Sequence, residues 1–166
     1  KKVARPIDTF DAKLKEGCTN MLYTMYHAPG IGLAAPQVGE SIRLFVLDVD
    51  YDREYFTNAE GEDEVKFSGL NAYIFINPEI VEKEGEIKYK EGCLSLPEVY
   101  EDVDRYEKIK LKYQNLSGEQ QELEADGLLS ICIQHELDHL EGIVFLDRLS
   151  PLKRNLYRKK LTKRKR

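Results

Sequence analysis

Cysteine is scarce in this chain: Cys18, Cys93 and Cys132 make an odd number, with no two in a paired spacing. That excludes a disulfide framework and points to a reducing compartment. No apolar run is long enough to cross a bilayer, and no secretory leader opens the sequence. Internal repeats and low-complexity linkers are also missing, and 166 residues suit one domain, 1–166, around one core. A hydrophobic content of 42% with a charged content of 33% is the balance of a cytoplasmic protein. The first residue is Lys1 rather than methionine, so a leader to an organellar stroma or matrix, or an opening strand, stays compatible with the sequence.

Histidine is as rare as cysteine, and two of the three histidines sit together in Gln134-His135-Glu136-Leu137-Asp138-His139-Leu140-Glu141-Gly142. This stretch continues a helical pattern that opens near Asp126, an acidic cap, and closes at Gly142, a left-handed cap. Histidines four apart project from one helix face, where two imidazoles can share a metal and Glu136 can reach a water beside it. The plainer alternative is an ordinary polar face.

A hydrolytic metal centre takes three protein ligands and keeps one position open for water. The zinc-peptidase pattern His-Glu-x-x-His-x-x-Gly-x-x-His is matched as far as Gly142 but ends on Phe145, and no acidic residue follows Asp147. The third ligand must come from upstream. Cys132 shares the histidine face, yet it lies seven residues from His139. That is about 10 Å along a helix, against some 4 Å between ligands of one metal. Cys18 keeps step with Leu14, Met21, Leu22 and Met25 as an apolar filler, and His27 ends the same helix. Cys93, in Glu91-Gly92-Cys93-Leu94-Ser95-Leu96-Pro97, is extended beside a glycine that permits close approach, and it is left as the third ligand. A buried free cysteine is the alternative reading there.

Elsewhere, Phe10 to His27 reads as an amphipathic helix broken by Pro29-Gly30. Gly30 to Gly39 is a loop of small residues in which Gln37 is the one strong side-chain donor; it follows no strand, which rejects a nucleotide fingerprint. Ile42–Val49 and Ala72–Ile80 read as strands, with the acidic stretch Asp50–Gly69 as an exposed loop or extended hairpin. Glu86–Tyr89 and the Cys93 stretch look extended, and Lys108–Tyr113 pairs with Gln121–Ala125 across the turn at Asn115 to Gly118. Phe145-Leu146 reads as a short strand, and Ser150-Pro151 opens a C-terminal helix. The pattern predicts an α+β fold: largely antiparallel sheets packed around a central metal-binding helix, with an N-terminal amphipathic helix and a C-terminal basic one. Ser150 to Arg166 holds nine of the 25 Lys/Arg and no acid, leaving 16 basic against 30 acidic residues elsewhere. That asymmetry suggests a polyanionic docking partner such as RNA, or a solvated helix complementing its own acidic body.

Three stretches taken in order, Gly30-Ile31-Gly32-Leu33-Ala34-Ala35-Pro36-Gln37, Glu91-Gly92-Cys93-Leu94-Ser95 and His135-Glu136-Leu137-Asp138-His139, resemble the motifs of the peptide deformylase family. The similarity runs through Ile76-Asn77-Pro78 to Ser150-Pro151-Leu152, nearly the whole chain. The resemblance implies a hydrolase that removes the N-formyl group from formyl-methionyl nascent peptides, with native Fe2+ replaceable by Zn2+, Ni2+ or Co2+. Ligation by Cys93, His135 and His139, as the resemblance implies, would lower the pKa of bound water from about 16 towards 7. Glu136 would then take the water's proton and pass it to the leaving amine. The resemblance further implies the Leu94 N–H and the Gln37 amide as donors to the developing oxyanion. Leu128, Ile131 and Cys132 share the His135 face and, with Ile31, resemble the family's methionine pocket; Ile31 and Gly32 also suit strand-like pairing with substrate. Plain core is the alternative for each of these. For the basic helix the resemblance suggests docking at the ribosome, with no membrane and no specific DNA binding.

The sequence departs from the family in three places. The segment that usually precedes Lys1 as an opening strand is not in the sequence, Tyr100 replaces an arginine of some bacterial members, and the 50–69 stretch is longer than in compact ones. Two rivals stay open: another metallo-amidase or peptidase with the same centre, and a binding module with a structural metal.

Overall fold

The computed structural model describes residues 2–93 and 96–164, and only the backbone of Cys93, Leu96, Pro97 and Arg164. Its frame is a five-stranded antiparallel sheet built from β1 (Gly32–Ala34), β2 (Leu44–Leu47), β5 (Tyr73–Glu84), β8 (Lys108–Gln114) and β9 (Gln120–Asp126), in the order β1-β2-β5-β8-β9. Two hairpins stand outside it: β3 (Asp52–Thr57) with β4 (Asp63–Ser68), and β6 (Ile87–Cys93) with β7 (Leu96–Arg105). The helices are α1 (Ala12–His27), α2 (Gly127–Leu140) and α3 (Pro151–Arg164). The architecture is therefore the expected α+β one, largely antiparallel sheet around a central helix.

Strand β2 shows why the sheet is a middle layer. Its four residues are all buried, and they alternate between two cores. Phe45 and Leu47 pack with Phe75, Leu111, Ile133 and Leu140, on the side of α2. Leu44 and Val46 pack with Cys18, Met21, Met25 and Leu33, on the side of α1. A strand covered on both faces reads as a continuous apolar run, which Leu44-Phe45-Val46-Leu47 is.

The N-terminal residues form a strap across this frame. Ala4 N donates to Leu140 O at 2.8 Å, and Arg43 N to Arg5 O at 2.8 Å. Asn77 fixes the strap's far end: Ile7 N donates to its Oδ1 at 2.8 Å and its Nδ2 donates to Ile7 O at 2.7 Å. Asn77 has φ +50°, and the β5–β8 register shifts just after it. Asparagine tolerates this left-handed backbone better than most residues, and the Pro78 that follows removes a donor the ladder cannot use.

The structure corrects four sequence expectations. Helix α1 starts at Ala12, not Phe10, because Asp11 is its N-cap and accepts from Leu14 N at 2.9 Å. Asp126 occupies the N-cap of α2, but its carboxylate makes no capping bond. Phe145-Leu146 lies in a 3-10 turn (Phe145–Arg148) and not a strand, with Asp147 Oδ2 accepting from Val144 N at 3.1 Å. Its apolar character comes from burial against Val99, Val103 and Leu149. The Gly30–Gly39 loop contains the short edge strand β1 and a 3-10 turn, Ala35–Val38.

Strand β7 was not foreseen. Its burial alternates from Glu98 to Arg105, but the inward positions are Val99, Glu101, Val103 and Arg105, so half of the inner face is charged. Two of those residues have specific tasks. Glu101 receives Lys153 Nζ and Tyr157 Oη, both at 2.6 Å, which ties α3 down beside the apolar contacts of Tyr157 and Leu161.

The Lys153 hydrogen bond, then that of Tyr157, holds the Glu101 carboxyl below its ordinary value. The bonds therefore contribute in full above the unfolded value of 4.5 and fade as pH falls through the lowered one. Amide-exchange protection of α3 should decline in that acid range while β2 and β5 stay protected. Glu101→Gln should accelerate tryptic cleavage within α3 at neutral pH, and an unchanged rate would show that the two bonds do not hold it.

Candidate metal centre

Helix α2 lies on the sheet with one face carrying His135 and His139. Their ring centroids are 5.1 Å apart at 71°, the arrangement that a four-residue spacing imposes. Gly142, with φ +71°, follows the helix as the expected left-handed cap; a Cβ there would press on the Lys2 backbone at 3.2 Å.

His135 is oriented by Glu91, a residue of the Cys93 motif to which the sequence alone assigns no role. Its Nδ1 lies 2.7 Å from Glu91 Oε1. Glu91 is buried, and burial alone would raise its carboxyl. Hydrogen bonds from Arg105 and then from His135 outweigh that and bring it down to about 2. An ionised carboxylate only accepts, so Nδ1 carries the proton and Nε2 is the nitrogen with a lone pair to give when the ring is neutral. Carboxylate–histidine pairs of this kind set tautomer and ring angle at metal sites.

Arg105 holds the arrangement from behind. Its Nε and Nη2 donate to the two Glu91 oxygens at 2.7 and 2.8 Å, and its Nη1 donates to Asp138 Oδ2 at 2.8 Å. Arg148 donates to Asp138 as well, through Nε at 3.0 Å. All three of Glu91, Arg105 and Asp138 are buried. Arg105 is the one cation in a run that also holds Glu98, Glu101, Asp102, Asp104 and Glu107, and that isolation was the available signal for a buried partner.

Glu136, also buried, faces strand β1. A Cβ on Gly32 would stand 2.6 Å from Glu136 Oε1, so glycine is what lets the β1 backbone pass over this carboxylate. In the next turn Gln37 Oε1 accepts from Ala34 N at 2.9 Å, which identifies its oxygen end and commits Nε2 to donation. Ile131 and Cys132 are buried, whereas Leu128 and Ile31 are 37% and 41% exposed. The Cys132 thiol is pushed up to about 12 by burial, with the Glu136 and Glu91 charges adding to it. It therefore stays protonated, packed in the core on the α2 side of the sheet.

The Cys93 side chain, Leu94 and Ser95 lie outside the described residues. Among the described residues no three His, Cys, Asp or Glu side chains gather as a metal site. The backbone carries β6 to Cys93, two residues beyond the His135 partner Glu91. Gly92 sits opposite Tyr100 on β7, and a Cβ on it would meet the Tyr100 ring at 2.5 Å. The close approach that this glycine permits is thus that of the aromatic ring. A cavity of about 650 Å³ elsewhere, lined by Ile7, Leu14, Met21 and Leu44, includes none of the candidate residues.

The polypeptide deformylase family model matches residues 1–155. The chain belongs to that family. A peptide deformylase of Chromobacterium violaceum is 50% identical over 162 residues, which cover 98% of this chain and 87% of the relative. One from Wolinella succinogenes is 44% identical over 166 residues, all of this chain and 91% of the relative. The crystal structure of a peptide deformylase from Legionella pneumophila superposes with a TM-score of 0.80 at 42% identity, covering 99% of this chain and 88% of that one. As a polypeptide deformylase, the chain is a hydrolase that removes the N-formyl group from nascent polypeptides. The family uses a divalent metal. The donor chemistry fits such an ion, with an imidazole whose Nδ1 is fixed by a buried carboxylate and a second imidazole one turn on. No described helix is long and apolar enough to cross a membrane.

The clamp yields a prediction. Arg105→Met leaves Glu91 and Asp138 buried without their shared cation, a change that costs about 3 to 5 kcal/mol. A lower urea midpoint should accompany a loss of about 10- to 100-fold in metal affinity, measured by chelator competition. Unchanged affinity would show that Glu91 orients His135 without help from Arg105.

Proposed function

We propose that the deformylase reaction of this chain is carried out at the α2–β1 junction, with a divalent metal held by Cys93, His135 and His139. The observation that carries this reading is the 2.7 Å contact between His135 Nδ1 and Glu91 Oε1, which presents Nε2 as a ligand nitrogen. A metal in that place supplies Lewis acidity towards water and the formyl carbonyl. Fe2+ is the native ion in this reading, with Zn2+, Ni2+ and Co2+ as substitutes, because a Cys-His-His set suits them all.

The protein's own groups do the rest. The Glu136 carboxylate takes a proton from the attacking water and passes it to the leaving amine, and its burial under Gly32 keeps it close to the substrate backbone. Gln37 Nε2 and the Leu94 N–H donate to the oxygen on which charge builds, where loss of one donor costs about 3 to 4 kcal/mol of barrier. Ile31, Leu128, Ile131 and Cys132 receive the methionine side chain. Gly32, at the start of the outer edge strand of the sheet, and Ile31 just before it pair with the peptide backbone.

Glu136→Ala should keep the metal and abolish turnover of a formyl-Met peptide, read by metal analysis beside the assay. Wild-type turnover of acetyl-Met or internal peptide bonds at the same rate would defeat the assignment in favour of a general amidase. The basic helix α3 docks this cytoplasmic enzyme on the ribosome. Deleting 152–166 should abolish ribosome co-sedimentation while activity on short peptides persists, and unaltered sedimentation would end that proposal.

A further inference from the structure

The β3–β4 hairpin pairs with no other strand of the described residues, and Tyr55 and Phe56 on it are exposed. Its attachment to the body is concentrated at one end. Phe67 lies 5.6 Å from Tyr26 and 5.1 Å from His27, ring to ring, at the last turn of α1. Arg53 donates to Tyr26 O, one of the final carbonyls of α1 that no helical N–H reaches, and so places a cation at the negative end of that helix. Its guanidinium also lies over the rings of Tyr51 and Phe67, and it donates to Tyr51 Oη at 3.1 Å.

What this end holds is the approach to β1. Tyr51 Oη donates to Gly30 O at 2.5 Å, and Asp48 N donates to Ile31 O at 2.9 Å. The Gly30 carbonyl is therefore fixed from Tyr51, at the foot of the hairpin, and the Ile31 carbonyl from Asp48, just after β2. Asp48 is itself buried and held, accepting from Tyr26 Oη at 2.6 Å and Asn71 N at 2.8 Å. The loop that is fixed, Pro29-Gly30-Ile31, has little stiffness of its own at Gly30.

We propose that the β3–β4 hairpin is a brace for the substrate-pairing edge, with Tyr51 as the positioning residue that sets the Gly30–Gly32 backbone before a peptide arrives. This rests on the reading that Ile31 and Gly32 pair with substrate. Bracing the edge in advance reduces the ordering that a bound peptide must impose. Its effect falls mainly on peptide binding, because the brace holds the Gly30 carbonyl, whereas Glu136 is carried by α2 and meets the loop only at Gly32.

Tyr51→Phe keeps the ring packed on Tyr26 and removes only the hydroxyl. In the metal-loaded enzyme it should raise KM for a formyl-Met tripeptide by about three- to tenfold, the worth of one hydrogen bond, with kcat unchanged and only a small fall in melting temperature. A tripeptide analogue methylated on the backbone nitrogens after methionine should be a poorer substrate for the wild type, and that penalty should shrink in the variant. An unaltered KM, an unaltered penalty, or a fall in kcat that follows a fall in melting temperature would each overturn the brace. If the wild type accepts both peptides equally, the pairing of β1 with substrate fails and the brace with it. If the wild type deformylates neither peptide, the functional reading itself fails.

Discussion

One buried guanidinium supports the candidate centre. Arg105 reaches it from β7 and binds Glu91 on β6 with two parallel hydrogen bonds and Asp138 on α2 with a third. Ion pairs away from water carry a heavy desolvation cost, which only dense hydrogen bonding offsets. Here the return is geometric. A hairpin that, among the described residues, has no ladder to the main sheet is locked to the central helix at the level of His135. The cation also keeps Glu91 ionised within the interior, so the histidine tautomer is decided by protein electrostatics before any ligand enters.

The layered core gives that lock something rigid to act against. Strand β2 fills two apolar clusters at once, one beneath α2 and one beneath α1. Helix α2 is consequently seated on a sheet that cannot yield without disturbing α1 on its far side. Glu136 meets the β1 backbone so closely that any side chain at Gly32 would collide with it. Packing of this density transmits displacement instead of absorbing it.

Much of this was legible in the sequence, for reasons of range. The His135–His139 spacing, the Gly142 cap, the β8–β9 turn and the proline-led α3 are local patterns, and each appears where the residues predicted it. The three-motif resemblance carried the family without need of coordinates. What could not be read depends on contacts between distant segments. Glu91 and Arg105 are not register partners on β6 and β7, where Arg105 stands opposite Ile87 and Glu91 opposite Glu101. Their contact depends on side-chain reach across the folded hairpin, and a half-charged inner face left β7 without a strand signal. Phe145-Leu146 failed for the opposite reason: two apolar residues cannot tell a strand from a buried 3-10 turn. Tyr51 and Arg53 gave no periodic signal at all, since their partners are backbone carbonyls at Gly30 and Tyr26.

The strap at the N-terminus bears on how the molecule assembles. Ala4 bonds to Leu140, the last residue of the histidine helix, nearly the whole chain away. Loop-closure entropy opposes such a contact until the intervening sheet exists. The segment around Ala4 must therefore wait for the histidine helix before it finds its place. An enzyme that serves emerging polypeptides is thus itself a late-closing one, its helix of two histidines sealed only once the sheet between the two partners has formed.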